Sequence, residues 1–180
     1  MAITFVNAGA EFAVASGNGT IAFPASPVSG DIWILAAHST DQIAHSISAN
    51  WTQIAQGNGG GTTSRLSAWW FRYAGSNPTA TLTHTAGDCL IGGVAAYRGC
   101  IASGSPIDVA GTVLGGTDVS METTAITTTT ANTMVVAALG SGNDNNYTAA
   151  PSGMTLRLED VGGGVQGNYQ TTLGLDGCVG

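Results

Sequence analysis

The second half of this chain repeats the first. Residues 32–61 read IWILAAHSTDQIAHSISANWTQIAQGNGGG, and residues 134–164 read MVVAALGSGNDNNYTAAPSGMTLRLEDVGGG. Each stretch runs through an apolar strand, a polar loop, an aromatic or Met followed by Thr, a second strand and three glycines. Ile32 and Met134 stand 102 positions apart, and Trp51 and Met154 stand 103 apart. Solenoid repeats recur every ~20–50 residues, so this period is too long for one. It predicts the two halves of one antiparallel β-sandwich, about 20–100 and 120–180, inside a single domain covering 1–180.

The rest of the chain agrees with an all-β, jelly-roll-like fold with little or no helix. No apolar spacing of i, i+3, i+4, i+7 is sustained, and no capping box precedes such a run. Short strand-forming runs alternate with Gly, Pro, Asn and Asp clusters that supply turns. The expected strands are 3–6, 11–15, 20–23, 31–37, 52–56, 65–74, 79–84, 89–97, 107–113, 122–129, 133–140, 155–159 and 168–175. IWILAA and MVVAAL are continuously apolar, which predicts strands central in a sheet or buried on both faces. After its triple glycine the first half continues through three strands, whereas the second half has only one. The position left over is expected to be filled by the strands at 3–6 and 11–15, to stay open as an edge, or to be completed by another subunit. An open edge without charge is a pairing site.

Composition narrows the function classes. Only 8% of residues are charged, against about a quarter in ordinary domains, and all four basic residues are Arg. The net charge of −7 argues against nucleic acid and against an anionic membrane surface. No run of about 18 apolar residues is present to span a bilayer as a helix. The N-terminus, MAITFVNAGAEF, lacks the basic and apolar regions of a secretory signal, which predicts synthesis in a cytoplasm. Cys89, Cys100 and Cys178 have neither metal-site nor redox-motif spacing. If 89–100 is one strand, at ~3.3 Å per residue its ends are too far apart to bond. Free thiols are expected, with one disulfide to Cys178 as the alternative.

Candidate chemistry is sparse. Gly162, Gly164 and Gly167 match G-x-G-x-x-G, but no helix follows to meet a phosphate, so a hairpin turn is the expectation. His38, Asp41 and His45 share one loop region and could bind a metal or exchange protons. Their spacing fits no metal motif, which predicts solvated loop side chains. Asn143, Asp144, Asn145 and Asn146 resemble part of a calcium loop but lack its Gly and Glu positions. No G-x-S-x-G elbow occurs. No catalytic residue, cofactor-binding residue or metal ligand is therefore assigned, and no cofactor is expected. In the aromatic run WWFRY, Trp69, Phe71 and Tyr73 share one strand face, and Trp70 and Arg72 the other. One set is expected to fill the core. Trp69, Phe71 and Tyr73 are the candidate protein-interface or glycan-stacking row.

One resemblance spans 29–157. In order, the chain carries SG-D before an apolar strand, W-T-x-I, R-L-x-A-W-W-F-R-Y-A, N-P-T-A-T-L-T, V-A-A-Y-R-G, S-P-I-D, M-V-V-A-A and P-S-G-M-T-L-R. This series resembles a widespread family of β-sandwich domains in tailed-phage virion proteins and some bacterial surface proteins. The resemblance implies a non-enzymatic structural protein on the outer surface of a virion, a capsid decoration (cement) protein first of all. Its partners would be the major capsid protein or other virion proteins, and a second copy of itself in a homo-oligomer. The alternative it implies is a carbohydrate- or receptor-binding module of a tail or fibre. It brings no catalytic residues.

Overall fold

The computed structural model describes residues 2–59, 64–116, 123–142, 150, 152–161 and 172–179. Among them the secondary structure is entirely β. The strands are β1 (Thr4–Ala8), β2 (Phe12–Ser16), β3 (Gly19–Thr20), β4 (Ile32–Ser39), β5 (Ser46–Ile47), β6 (Thr52–Asn58), β7 (Arg65–Arg72), β8 (Thr81–Thr83), β9 (Asp88–Arg98), β10 (Met134–Ser141), β11 (Thr155–Val161) and β12 (Thr172–Val179). All pairings are antiparallel. A six-stranded sheet runs β1-β9-β4-β7-β6, with β2 also on β9. Two three-stranded sheets, β3-β8-β5 and β10-β12-β11, accompany it.

The six-stranded sheet is the middle layer of the sandwich. All eight residues of β4 are buried. Because strand side chains alternate, Trp33, Leu35 and Ala37 enter one apolar cluster with Leu82 of β8. Ile32, Ile34 and Ala36 enter the opposite cluster with Leu158 of β11. IWILAA is apolar throughout because it has two cores to fill. Each fully buried Leu or Ile contributes roughly 1.5–3 kcal/mol. The sheets meet closely at β9, where a Cβ on Gly93 would lie 2.4 Å from Leu158 Cδ1. MVVAAL behaves differently: β10 lies at the end of its sheet, with Ala137 and Leu139 its buried residues. Its run of apolar residues does not mark a central strand.

The sequence repeat is also a repeat of topology. The first half sets β7 between β4 and β6, and the second sets β12 between β10 and β11. Ile32 pairs with Arg72 where Met134 pairs with Val179. Thr52 pairs with Trp70 where Thr155 pairs with Gly177. Both second strands carry a register shift at the same place, between Gln53 and Ala55 and between Leu156 and Leu158. The middle sheet and one covering sheet are thus built on the same three-strand plan. Counterparts meet between them: a Cβ on Gly140 would lie 2.3 Å from Cδ2 of His38, its own repeat equivalent.

Several expected strands are shorter than the sequence suggested. The runs at 20–23 and 79–84 form only the short β3 and β8, and β5 lies inside the expected loop 39–50. Residues 107–113 and 123–129 are not strands. Side chains hold this segment instead of a backbone ladder. The Asp108 carboxylate accepts hydrogen bonds from the backbone N–H and hydroxyl of both Thr129 and Thr130. The Thr124 hydroxyl donates to the Thr112 carbonyl at 2.8 Å. β12 begins at Thr172, and 168–171 lie outside the described residues, as do Gly162, Gly164, Gly167 and 143–146. The strands at the N-terminus do not fill the place beside β10; both β1 and β2 lie on β9. On the β6 side of the second apolar cluster the 101–116 segment supplies cover. Ile107 packs into that cluster, and a Cβ on Gly57 would overlap Val113.

Two of the short sequence runs are explained by one ion pair between a buried carboxylate and a part-exposed guanidinium. Arg98, at the end of β9, donates from Nε and Nη2 to the two oxygens of Asp31, each at 2.8 Å. Asp31 is 1% exposed and also accepts the Val28 N–H at 2.8 Å. The Arg98 hydrogen bonds hold this carboxyl below the usual carboxylate range, against the opposing effect of burial. The pair fixes where β4 begins and β9 ends.

Candidate functional site

All three histidines gather at the far end of β4. His38 and Ser39 are its last residues, and alternation sends them to opposite faces. The chain then turns through Asp41, returns along β5 and brings His45 back beneath Ser39. The β8–β9 turn delivers His84 from elsewhere in the sequence. Ser39 and His84 are 0% exposed and His45 is 3% exposed. The expectation of solvated loop side chains is therefore corrected. A buried imidazole that finds a partner is retained in a core, and two of these three have found one.

The contacts form a chain. Ser39 Oγ lies 2.9 Å from His45 Nε2. The His45 and His84 rings meet edge to face, with centroids 4.9 Å apart. His84 Nε2 donates to Asp41 Oδ1 at 3.0 Å. Asp41 also accepts the backbone N–H groups of Ile43 at 2.8 Å and Asp88 at 2.6 Å. Gln56 then acts as a strand-like partner for His45. Its side-chain oxygen accepts the His45 N–H and its amide donates to the His45 carbonyl, both at 3.1 Å. Arg65 donates to the same Gln56 oxygen at 2.6 Å, and to the Gln42 carbonyl and the Asn58 side chain.

Burial favours the neutral form of His38 and His45. Burial pushes His38 down to about 4. Burial first, then the neighbouring His84 and Arg65, push His45 down to about 3. Burial works to raise the Asp41 carboxyl. The Asp88 N–H, His84 and the Ile43 N–H outweigh it and hold the group below its ordinary value. Neither ring nitrogen of His38 has a protein hydrogen-bond partner, nor has Nδ1 of His45 or His84.

A serine hydroxyl 2.9 Å from an imidazole has the spacing of a nucleophile and its base. It is not reachable, because Ser39 is completely covered. The third member, Asp41, orients His84 rather than His45. Among the described residues no group of three His, Cys, Asp or Glu side chains could hold a metal ion. What the arrangement does is tie the 40–47 loop, the β8–β9 turn and the start of β7 to the end of β4.

The aromatic row lies inside as well. Trp69 is buried beside His45. Phe71 packs between Trp33 and Trp51, with centroids 5.5 and 5.4 Å away, and Tyr73 stacks on Trp33 at 5.2 Å. Trp69 is thus closed to a glycan, and Phe71 and Tyr73 spend their rings on the core. Trp70, on the opposite strand face, lines an open cleft with Thr52, Gln53, Ser105, Ile107 and Asp108. Cys89 is buried and Cys100 half-buried, neither of them in a disulfide, and the Cys178 side chain lies outside the described residues. Compared with known protein families, curated proteins and solved structures, the chain has no match.

Sequence reasoning missed His84, Ser39 and the Trp70 cleft. No local signal could have joined His84 to Asp41, which is 43 residues away. Trp70 was legible as the odd member of the aromatic run, since alternation alone puts it opposite Trp69 and Phe71.

Proposed function

We infer that the protein is a structural component of a tailed-phage virion, acting as a capsid decoration (cement) protein that stabilises the shell by non-covalent contacts. The observation that carries this reading is the closure of the acid–base groups that the fold brings together. Ser39, His45 and His84 are sealed in the interior, and the Asp31 and Asp108 carboxylates are spent on holding chain segments. Among the described residues, such an arrangement offers contact area and rigidity rather than reactive groups. The order of short motifs from 29 to 157 supplies the virion context, and Asp31, Arg98 and Asp108 within those motifs serve the framework.

The partners on this reading are the major capsid protein, other virion proteins and a second copy of the chain. The site of action is the outer surface of the particle. Many equivalent sites on one shell would turn weak single contacts into durable occupancy. The decisive experiment is co-sedimentation of the purified protein with empty heads assembled from the major capsid protein of its own genome. Saturable binding in a fixed ratio to the shell subunits, with raised thermal stability of the heads, is expected. Absence of binding to both immature and expanded heads overturns the reading. The alternative, a carbohydrate- or receptor-binding tail or fibre module, loses Trp69 and retains Trp70 as its aromatic surface.

A further inference from the structure

We propose that His38 is a proton-sensitive latch between two layers of the sandwich. Its protonation raises the population of a form in which the β10-β12-β11 sheet has come away from the middle sheet, while the middle sheet and the β3-β8-β5 sheet stay folded together. The device belongs to the fold and holds whatever the protein binds.

The seam between these two sheets is made by side-chain packing. Among the described residues no ladder joins them, because β10, β12 and β11 pair only with one another. Leu158 lies against Gly93, and Met134, Val136 and Ala138 pack on the same apolar cluster. Separating the layers therefore breaks no strand pairing in the middle sheet. The covering sheet also comes from one continuous part of the chain, after Thr133. Contiguous units of this kind are the ones that open locally, ahead of global unfolding.

His38 stands in that seam, 1% exposed, with its ring against Gly140. Neither ring nitrogen has a protein hydrogen-bond partner, whereas His45 and His84 each bond through Nε2. An imidazolium carries two N–H donors, and a buried charge without partners is costly. The charged and titratable groups around the ring make no bond to it. On β7, Leu66 pairs with His38, and the adjacent Arg65 is bonded to Gln56, Gln42 and Asn58. On β9, Ile91 pairs with it, and Cys89 and Asp88 lie at the start of that strand. Asp41, beyond the end of β4, is bonded to His84. In the covering sheet Gly140, Leu173 and Asp160 form one row, which sets Asp160 two strands, roughly 10 Å, from Gly140. Glu159 stands in the next row, Asp176 is farther along opposite Ala137, and Arg157 lies over Phe5. His45, on the other face of the middle sheet, is repelled by a charge on His38. Burial holds the closed ring neutral down to about 4, and a freed ring protonates at its ordinary 6.5. Above 6.5 neither form takes the proton and the seam keeps its full strength. Between 6.5 and 4 only the open form takes it, so the open population rises as the pH falls. At pH 5, about 1.5 units below the ordinary value, the gain is about 30-fold.

The test is hydrogen exchange of the full chain at pH 7.5 and pH 5, read by mass spectrometry and corrected for intrinsic exchange rates. A three-stranded sheet persists only with its apolar face covered, so opening frees its own ladder to exchange. Protection of 134–141 and 155–161 should fall about 30-fold between the two pH values, while β4 and β9 change far less. In His38→Leu the protection of 134–141 should be the same at both pH values. If that variant does not fold, an NMR titration of the wild-type histidine rings decides, with His38 expected to titrate well below 6.5 in the folded protein. A His38 ring that titrates at its ordinary value overturns the proposal. So does wild-type protection of 134–141 that is equal at both pH values, or a fall that survives in folded His38→Leu. A loss shared equally by β4 and β9 is global unfolding and overturns it as well.

Discussion

Gly140 should be intolerant of a single methyl group only while His38 is present. A Cβ on Gly140 would lie 2.3 Å from His38 Cδ2, 2.6 Å from Cγ and 2.9 Å from Cβ. Rotating the imidazole cannot relieve all three overlaps, because the His38 Cβ is one of them. The two sheets must move apart or β10 must shift. Overpacking of this sort costs about 1–3 kcal/mol. Against it, Ala in place of Gly within a strand recovers roughly 0.5–1 kcal/mol of chain entropy. Gly140→Ala alone should therefore destabilise by up to roughly 2.5 kcal/mol. In a His38→Ala background the overlaps with Cδ2 and Cγ are gone and only the 2.9 Å approach to Cβ is left, which a small shift relieves. There Gly140→Ala should be close to neutral. The cycle of wild type, both single variants and the double variant should show a coupling of about 1–3 kcal/mol. Urea unfolding followed by tryptophan fluorescence measures it. For a chain of this length each kcal/mol also moves the melting temperature by about 2–4 °C. If the two substitutions add to within about 0.5 kcal/mol, repeat-equivalent residues do not oppose each other between the sheets, and the packing described above is wrong.

Three further outcomes are expected. His38 and His45 are held neutral in the fold at about 4 and about 3, while in the unfolded chain they protonate at their ordinary value of 6.5. The unfolded state therefore binds extra protons below 6.5, so stability is full above that pH and falls as the pH drops toward 4. The slope approaches about 1.4 kcal/mol per pH unit for each histidine. Urea midpoints measured from pH 7.5 to 4.5 should show this decline, and His38→Leu should flatten about half of it; a flat wild-type profile counts against both buried imidazoles. Leu158→Ala should cost about 2–5 kcal/mol in the same assay, because the side chain is 3% exposed and lies against Gly93 between the sheets; a loss below 1 kcal/mol, estimated as roughly the scale of a surface change, would mean the sheets are not packed there. Cys89, at 0% exposure, should react with Ellman's reagent only on unfolding, and rapid labelling of its thiol in the native protein would contradict the buried β9.

The strand content, the central place of IWILAA and the repeat were legible because alternation and turn residues are local signals. β4 announced itself by having no polar face until His38. MVVAAL misled for a related reason: length and hydropathy do not say whether a strand has one neighbour or two. The segment 107–113 has strand-forming residues, yet Asp108 and Thr112 tie it through side chains, and propensity gives way to those bonds. At the His cluster, sequence placed His38, Asp41 and His45 together but could not bury them. That required β8 and its turn to fold over the loop, a contact between distant segments. The Trp70 cleft needed the 105–110 segment laid across β6, which no spacing encodes.

Every strand of the middle sheet and of the β3-β8-β5 sheet comes from residues before Cys100, and the β10-β12-β11 sheet comes from residues after Thr133. A ribosome would therefore release two complete layers before the third exists. The Asp31–Arg98 pair can close as soon as Arg98 emerges, setting β4 against β9 in a nascent chain. From then until Val179 is synthesised, Ile32, Ile34, Ile91 and Ala95 lack the cover of the third sheet. At about 5–20 residues per second, that interval lasts several seconds. A stall between Cys100 and Met134 would leave two folded layers with that apolar face open.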